Sequence, residues 1–276
     1  MKTKKDKIAL LFNSERGISV YKSLSKNYYI DIYLSKKNLQ NKVKKFLIKR
    51  KLKFKVLKKV NLELAKKMKM KNYFLIISSG FPLIFPNIFL KLFRNQVVNL
   101  HAGPLPKYRG GSPLNWQIIN GEKKISISII RMSGKIDHGP IFSERSFILQ
   151  NSDTIKTVHQ KVNRMFPQML KQVILKIKKK VKPIKQKKNS IKNYPQRSEK
   201  DGIINWMKKD AREVYNFVRA LTKPYPGAFY YEKEKKIKTI FKCKISKKNP
   251  KIPPGQIFYV NGQKFIKCKK YSIKVI

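Results

Sequence analysis

The chain has 276 residues, enough for one sizeable core plus a smaller second domain. Its 41% hydrophobic and 11% aromatic content excludes global disorder in spite of a formal net charge of +52. No apolar stretch reaches the roughly 18 residues of a membrane span, and "MKTKKDKIALLFNSERG" at the start shows no small-residue cleavage site, so a cytoplasmic protein is expected.

From the N-terminus, "KIALLF" at 7–12 reads as a strand and "ISVYKSLSK" as a helix, followed by an alternating strand at 28–34 and a basic amphipathic helix over 42–51. "KFKVLKK" predicts a third strand, "LELAKKMKM" a helix, and "YFLIISS" at 73–79 a strand apolar enough to be buried on both faces. "FPNIFLKLF" predicts a short helix and "QVVNLH" at 96–101 a fifth strand. Strands alternating with helices imply a mostly parallel α/β sheet, in which ligands bind beyond the carboxyl ends of the strands.

The fifth strand runs into "NLHAGPLPKYRGGSPLNW" at 99–116, which holds one of only three histidines. Asn99 and His101 are two residues apart, so on a strand they share a face. Catalysis is one reading of that pair; a Gly- and Pro-punctuated turn with ordinary loop residues is the other. The position at a strand end raises the first.

Beyond this loop, "LNWQIING" predicts a helix, "KISISIIRM" at 124–132 a strand, and "SGKIDHGPIFSERSFIL" a loop carrying Asp137 followed by another strand. A long amphipathic helix over 154–177 closes a first domain expected to span 1–180. A charged, apolar-poor linker, 181–200, leads to a second unit over 201–276. That unit opens with the helix "DAREVYNFVRAL" and continues as β-like segments "KIKTIFKCKI", "GQIFYV", "QKFIKC" and "YSIKVI", a spacing that suggests a small β-barrel.

Charge and cysteine usage add less. The basic residues are mostly lysine, spread along the whole chain, whereas arginine is the residue preferred for bidentate reading of phosphates and bases. Residues 154–198 and 235–276 contain no acidic side chain, so each is either a polyanion surface or a solvated face. Cys243 and Cys268 have no metal-like spacing and read as buried thiols, with a pairing between them left open and no metal expected.

Together, "NLHAGPLPKYRGGSPLNW", "SGKIDHGPI" and "GIINWMKKDAREVYNFVRALTKPYPGAFYY" resemble the 10-formyltetrahydrofolate-dependent formyltransferase family. That family includes methionyl-tRNA formyltransferase, glycinamide ribonucleotide transformylase and the sugar-nucleotide N-formyltransferases. The resemblance covers nearly the whole chain and implies a Rossmann-like catalytic domain with a C-terminal OB-like β-barrel. It also implies that Asn99, His101 and Asp137 are the catalytic residues, that 10-formyltetrahydrofolate is the co-substrate, and that no metal takes part.

Those residue types suit the implied chemistry. When an amine attacks a formyl carbonyl, negative charge grows on its oxygen, where a fixed amide donor such as Asn99 is worth about 100-fold to 1000-fold in rate. An imidazole with an unperturbed pKa of about 6.5 can donate to that oxygen or to the leaving nitrogen near neutrality. A nearby carboxylate, Asp137, would orient it and favour its protonated form. Asp137 could instead be an Asx-turn residue ahead of Gly139. His138 reads as loop filler and His159 as a helix-surface or boundary residue. The resemblance further places Pro82, Leu83 and Ile84 against the folate pteridine through backbone groups, with Ser133, Gly134, Lys135 and Ile136 forming the opposite wall.

For the amine, "SPLNWQIINGE" and "VYNFVRALTKPYPGAF" are more similar to the enzyme domain that formylates aminoarabinose nucleotides than to the tRNA enzyme. The tRNA enzyme's insertion after the second strand is also missing from "DIYLSKKNLQNKVKKF". A nucleotide-linked amino sugar is therefore the expected acceptor, with initiator methionyl-tRNA as the alternative favoured by the acid-free 235–276 stretch. A homodimer is possible. A non-catalytic polyanion-binding protein on the same fold is the reading from another class, and the intact trio argues against it.

Overall fold

In the computed structural model, residues 5–187, 191–232 and 236–276 are described. The first four residues, the 188–190 part of the basic linker and the opening residue of the acid-free 235–276 stretch lie outside them.

The first half alternates as expected: β1 (Lys7–Phe12), α1 (Glu15–Leu24), β2 (Tyr29–Ser35), α2 (Asn41–Lys49), β3 (Phe54–Leu57), α3 (Leu62–Lys69), β4 (Leu75–Ser79), α4 (Asn87–Phe93) and β5 (Val97–His101). A two-residue strand β6 (Arg109–Gly110), helix α5 (Pro113–Ile119), β7 (Lys124–Arg131), β8 (Ile141–Ile148) and the long helix α6 (Ile155–Lys178) follow.

The central sheet has seven strands in the order β3-β2-β1-β4-β5-β7-β8. Its first five strands run parallel, and β7 pairs antiparallel to β5. β1 from Ile8 onward and all of β4 are buried, so both faces are covered there, which is why β1 and the start of β4 read as continuous apolar runs. β1 has β2 on one side and β4 on the other, so the connections diverge there and leave a crevice at the carboxyl ends.

One core cluster joins Leu11, Tyr33, Met68, Tyr73 and Ile76 to the α4 aromatics Phe89 and Phe93 and to Phe85 just before that helix. Phe85, Phe89 and Phe93 recur every four residues and pack in a row, Phe85 edge-on to Phe89 and Phe89 tilted against Phe93, with ring centroids 5.2 and 4.9 Å apart. In α6 the buried residues Val158, Val162, Phe166, Met169, Leu170 and Val173 form the stripe that its period predicts. The helix runs through Pro167.

The C-terminal part contains a two-residue strand β9 (Asn193–Tyr194), α7 (Ala211–Leu221) and β10–β15 (Ala228–Tyr231, Ile237–Ile240, Cys243–Ser246, Ile257–Val260, Gln263–Lys267, Ser272–Val275). Asp210 and Glu213 cap α7 reciprocally, each side chain accepting from the other's backbone N–H at 2.8 Å. The antiparallel strands expected of the barrel are present as a four-stranded sheet, β12-β15-β14-β13, and a two-stranded one, β10-β11.

The run "KIKTIFKCKI", read above as one segment, is two strands in different sheets. Ile240 and Cys243 are both buried three residues apart, a spacing that a continuous period-2 strand does not allow, so the chain bends between them. Both cysteines are buried free thiols, each pushed up to about 12 by burial.

Contacts divide the chain into two compact units, one of residues 1–109, 126–146 and 161–192, the other of 110–125, 147–160 and 193–276. Among the described residues no helix is long and apolar enough to cross a membrane.

Candidate active site

β5 ends the parallel part of the sheet, and its last residues carry the pair singled out in the sequence. Asn99 lies opposite Ile130 of β7 and beside Ser78 of β4, while His101 lies opposite Ser128. The alternation therefore puts both side chains on one face of the strand, as the spacing predicts.

Asp137 reaches the same point from the loop after β7. Its Oδ2 is 3.4 Å from His101 Nδ1, and Asn99 Nδ2 donates to its Oδ1 at 3.5 Å. The carboxylate so spans both strand residues, and the side chains of His101 and Asp137 are only 5% and 8% exposed. Asp137 takes the left-handed backbone region, with φ of 54°. Two residues on, Gly139 is pressed against β7, where an added Cβ would lie 1.6 Å from the Arg131 carbonyl oxygen. The loop can follow this path only with glycine there.

The His101 ring is held on its other side as well. Nε2 is 2.6 Å from the Tyr108 carbonyl oxygen, and a carbonyl only accepts, so Nε2 carries the hydrogen. Nδ1 is thereby the nitrogen that faces Asp137. Burial pushes the His101 pKa below its usual value and the Arg16 charge pushes the same way, while Asp137 and the Tyr108 carbonyl oppose them. Arg16 donates from Nη1 to the Leu100 carbonyl at 3.1 Å and lies over the Phe166 ring at 4.9 Å. Such a ring can take a proton at Nδ1 with the carboxylate beside it and return it under a small change in surroundings.

The residues read as two walls of a pocket lie in the loops after β4 and after β7. Pro82, Leu83 and Ile84 lie in the segment between β4 and α4, which Phe81 and Phe85 anchor in the core cluster. Ile84 is left 72% exposed. In the other segment, Ser133 Oγ donates to the Lys135 carbonyl at 3.2 Å, and Ile136 is 61% exposed. Gly134 packs against the start of α4, where an added Cβ would stand 1.8 Å from Asn87 Oδ1.

His138 is exposed, and its Nδ1 lies 2.6 Å from the Ile136 carbonyl. His159 stacks on Tyr225 with ring centroids 6.2 Å apart. Two cavities of about 440 and 530 Å3 lie elsewhere, along β2 and β3; both are lined by Tyr33, Lys55 and Lys71, and neither by Asn99, His101 or Asp137. Among the described residues no cluster of His, Cys, Asp and Glu is arranged to hold a metal.

Sequence reading gave no role to Tyr108 or Arg16. Tyr108 acts through its backbone, which leaves no mark on residue type. Arg16 is one basic residue among many, and only the fold carries it to β5.

Residues 27–174 match the family described as formyl transferase, and residues 197–276 its C-terminal domain. The bifunctional polymyxin resistance protein ArnA of Wigglesworthia glossinidia brevipalpis is 37% identical over 93% of this chain and 39% of its own length. Methionyl-tRNA formyltransferase of Caldanaerobacter subterraneus subsp. tengcongensis is 31% identical over 73% of this chain and 65% of its own. The chain thus spans less than two thirds of the length of either relative. The N-formyltransferase from Helicobacter canadensis, solved with folinic acid and dTDP-3-aminofucose, has the same fold, with a TM-score of 0.73 at 18% identity over 98% of both chains. With more than half of its residues matched in one continuous segment and a second segment reaching its last residue, this chain belongs to the formyl transferase family.

Proposed function

We propose that the protein transfers a formyl group from 10-formyltetrahydrofolate to the primary amine of a nucleotide-linked amino sugar. The observation that carries this reading is the convergence of Asn99, His101 and Asp137 at the carboxyl end of β5, with one carboxylate spanning the other two side chains.

The surroundings fit a reduced folate. Pro82, Leu83 and Ile84 and the Ser133–Gly134–Lys135–Ile136 segment would form the two walls, and Gly134 sits in a cradle at Asn87 that a Cβ would fill. Ile84 and Ile136 offer exposed apolar surface for a flat ring to cover. When bound, the folate supplies a formyl group activated on nitrogen.

The chain's own residues do the rest. The Asn99 amide is held by strand and carboxylate, so its donor is fixed before charge grows on the formyl oxygen. His101 keeps its Nε2 hydrogen on Tyr108 and exchanges a proton at Nδ1, where Asp137 stabilises the imidazolium. The proton released by the attacking amine passes to this pair and returns to the departing nitrogen.

For the acceptor, the similarity of 93% of this chain to part of ArnA, and the fold shared over full length with an enzyme solved with dTDP-3-aminofucose, support a sugar nucleotide. The acid-free, lysine-rich stretch after residue 235 supports methionyl-tRNA as the second reading. The test supplies both acceptors with 10-formyltetrahydrofolate at physiological salt and follows the formamide by mass. Formylated nucleotide-linked 4-aminosugar is the expected product; formylated methionyl-tRNA with no sugar nucleotide modified would overturn the choice of acceptor.

A further inference from the structure

The basic linker contains a glutamine whose whole hydrogen-bonding capacity is spent around the Asp137 loop. Gln186 Nε2 donates to the Asp137 carbonyl and to the Gly139 carbonyl, both at 2.7 Å. Its Oε1 accepts from Arg109 Nε at 3.2 Å and Nη2 at 2.7 Å. The linker is brought to this place by a reciprocal pair of backbone hydrogen bonds between Ile141 and Ile184, at 2.8 and 2.9 Å.

This arrangement answers a mechanical problem. Asp137 sits in a left-handed conformation in a loop between two strands, and the loop is fixed from the β7 side by Arg131 N–H, which donates to the Pro140 carbonyl at 2.9 Å. That bond lies beyond Gly139; within the turn, His138 N–H donates to the Lys135 carbonyl at 3.3 Å, and neither bond joins the carbonyls of Asp137 and Gly139 to each other. The Gln186 amide bridges the turn's two ends, and the buried Arg109 fork fixes which way the amide faces, because only the oxygen can accept.

We propose that Gln186, held by Arg109, is a positioning residue that sets the Asp137 carboxylate against Asn99 and His101. This rests on the formyl-transfer reading only for its effect on turnover. The placement of Asp137 can be read without any substrate, because the chain has only three histidines and the His101 resonance can be followed by NMR as pH is varied. Asp137 and Arg16 are the charged groups that act on His101, and Asp137 acts to raise its pKa, so a displaced carboxylate lowers the titration midpoint.

The experiment compares wild type with Gln186→Met, which keeps the side-chain length and loses every hydrogen bond. The His101 midpoint is expected to fall toward that of Asp137→Asn, with His159 unmoved as the internal reference. Turnover is expected to fall about 100-fold, as for a small misplacement of a catalytic group, with KM for both substrates unchanged. Adding Gln186→Met to Asp137→Asn should cost nothing further. A wild-type midpoint in Gln186→Met overturns the proposal, whether turnover falls or not.

Gln186→Glu is the second variant, since it keeps a partner for Arg109 but offers no hydrogen to the two carbonyls. It should lose turnover like Gln186→Met, and wild-type turnover in it overturns the proposal. If the wild type transfers no formyl group and the midpoint still moves, the formyl-transfer reading fails and the clamp on Asp137 stands.

Discussion

His101 Nδ1 lies 3.4 Å from Asp137 Oδ2, in surroundings where both side chains are almost wholly removed from water. A charged and a titratable group facing each other at that depth influence each other strongly, because little solvent intervenes. The opposite side of the ring is occupied by the Tyr108 carbonyl, so the pair has one direction in which to exchange a proton.

Removal of any of the three converging side chains should abolish most of the turnover and little of the folate affinity. Asn99→Ala, His101→Ala and Asp137→Ala are each expected to cut kcat by at least about 100-fold through lost charge stabilisation and proton transfer. Calorimetry with a stable 5-formyl folate should give nearly the wild-type affinity for all three. His138→Ala should be almost silent, since its ring is turned to the Ile136 carbonyl outside the pair. A critical His138 beside a dispensable His101 would reverse the assignment.

Stability should depend on pH through His101 with a definite sign. Its folded-state pKa lies below the usual value because burial disfavours the imidazolium. In the window between the folded value and the unfolded value of about 6.5, the unfolded chain binds more protons, so stability is lost as pH falls through it and is fully present above it. Urea midpoints at pH 7.5 and 5.5 should drop more for wild type than for His101→Gln. Equal drops in the two proteins would remove His101 as the cause.

Gly139 makes a separate and purely steric prediction. A Cβ there would meet the backbone of Arg131, which cannot swing aside like a side chain. Gly139→Ala should cost about 1–3 kcal/mol of stability, as overpacking does, and should lower turnover by displacing Asp137. Denaturant titration and the formyl-transfer assay would read the two effects; wild-type values in both would mean that the loop has another path.

The dependence on salt separates the two acceptors. A sugar nucleotide presents about two phosphate charges, whereas each tRNA phosphate neutralised adds about 0.7 to 0.9 to the slope of log affinity against log salt. Acceptor binding should therefore weaken only mildly between low and physiological ionic strength. A steep slope with methionyl-tRNA, joined to fast formylation of it, would favour the alternative.

Much of the site was legible because it obeys short-range rules. The period-2 spacing of Asn99 and His101 and the apolar run ahead of them suffice to place both on one face at a strand end. Asp137 was reached through the family resemblance, since a lone carboxylate in a Gly-containing loop is equally an Asx-turn residue. Gln186 carried no signal: it lies among lysines with no periodicity, and its partners are 77, 49 and 47 residues away in sequence. The split of residues 237–246 into two strands was hidden for a different reason, because β-branched residues continue across Phe241 and Lys242 and only burial reveals the change of face.

β3 closes one end of the central sheet and, among the described residues, pairs on one side only, with β2. Phe54 and Val56 on it are each 43% exposed. A bare strand with apolar side chains is a template onto which another chain can add, and lysine is a common means of blunting it. Here Lys53 and Lys55 alternate with the apolar residues, and Lys58 and Lys59 follow the strand. Two copies approaching edge to edge would bring these cations together within a few ångströms, inside the screening length of about 8 Å at physiological salt. These lysines thus oppose pairing of two copies through this edge, and that opposition weakens as ionic strength rises.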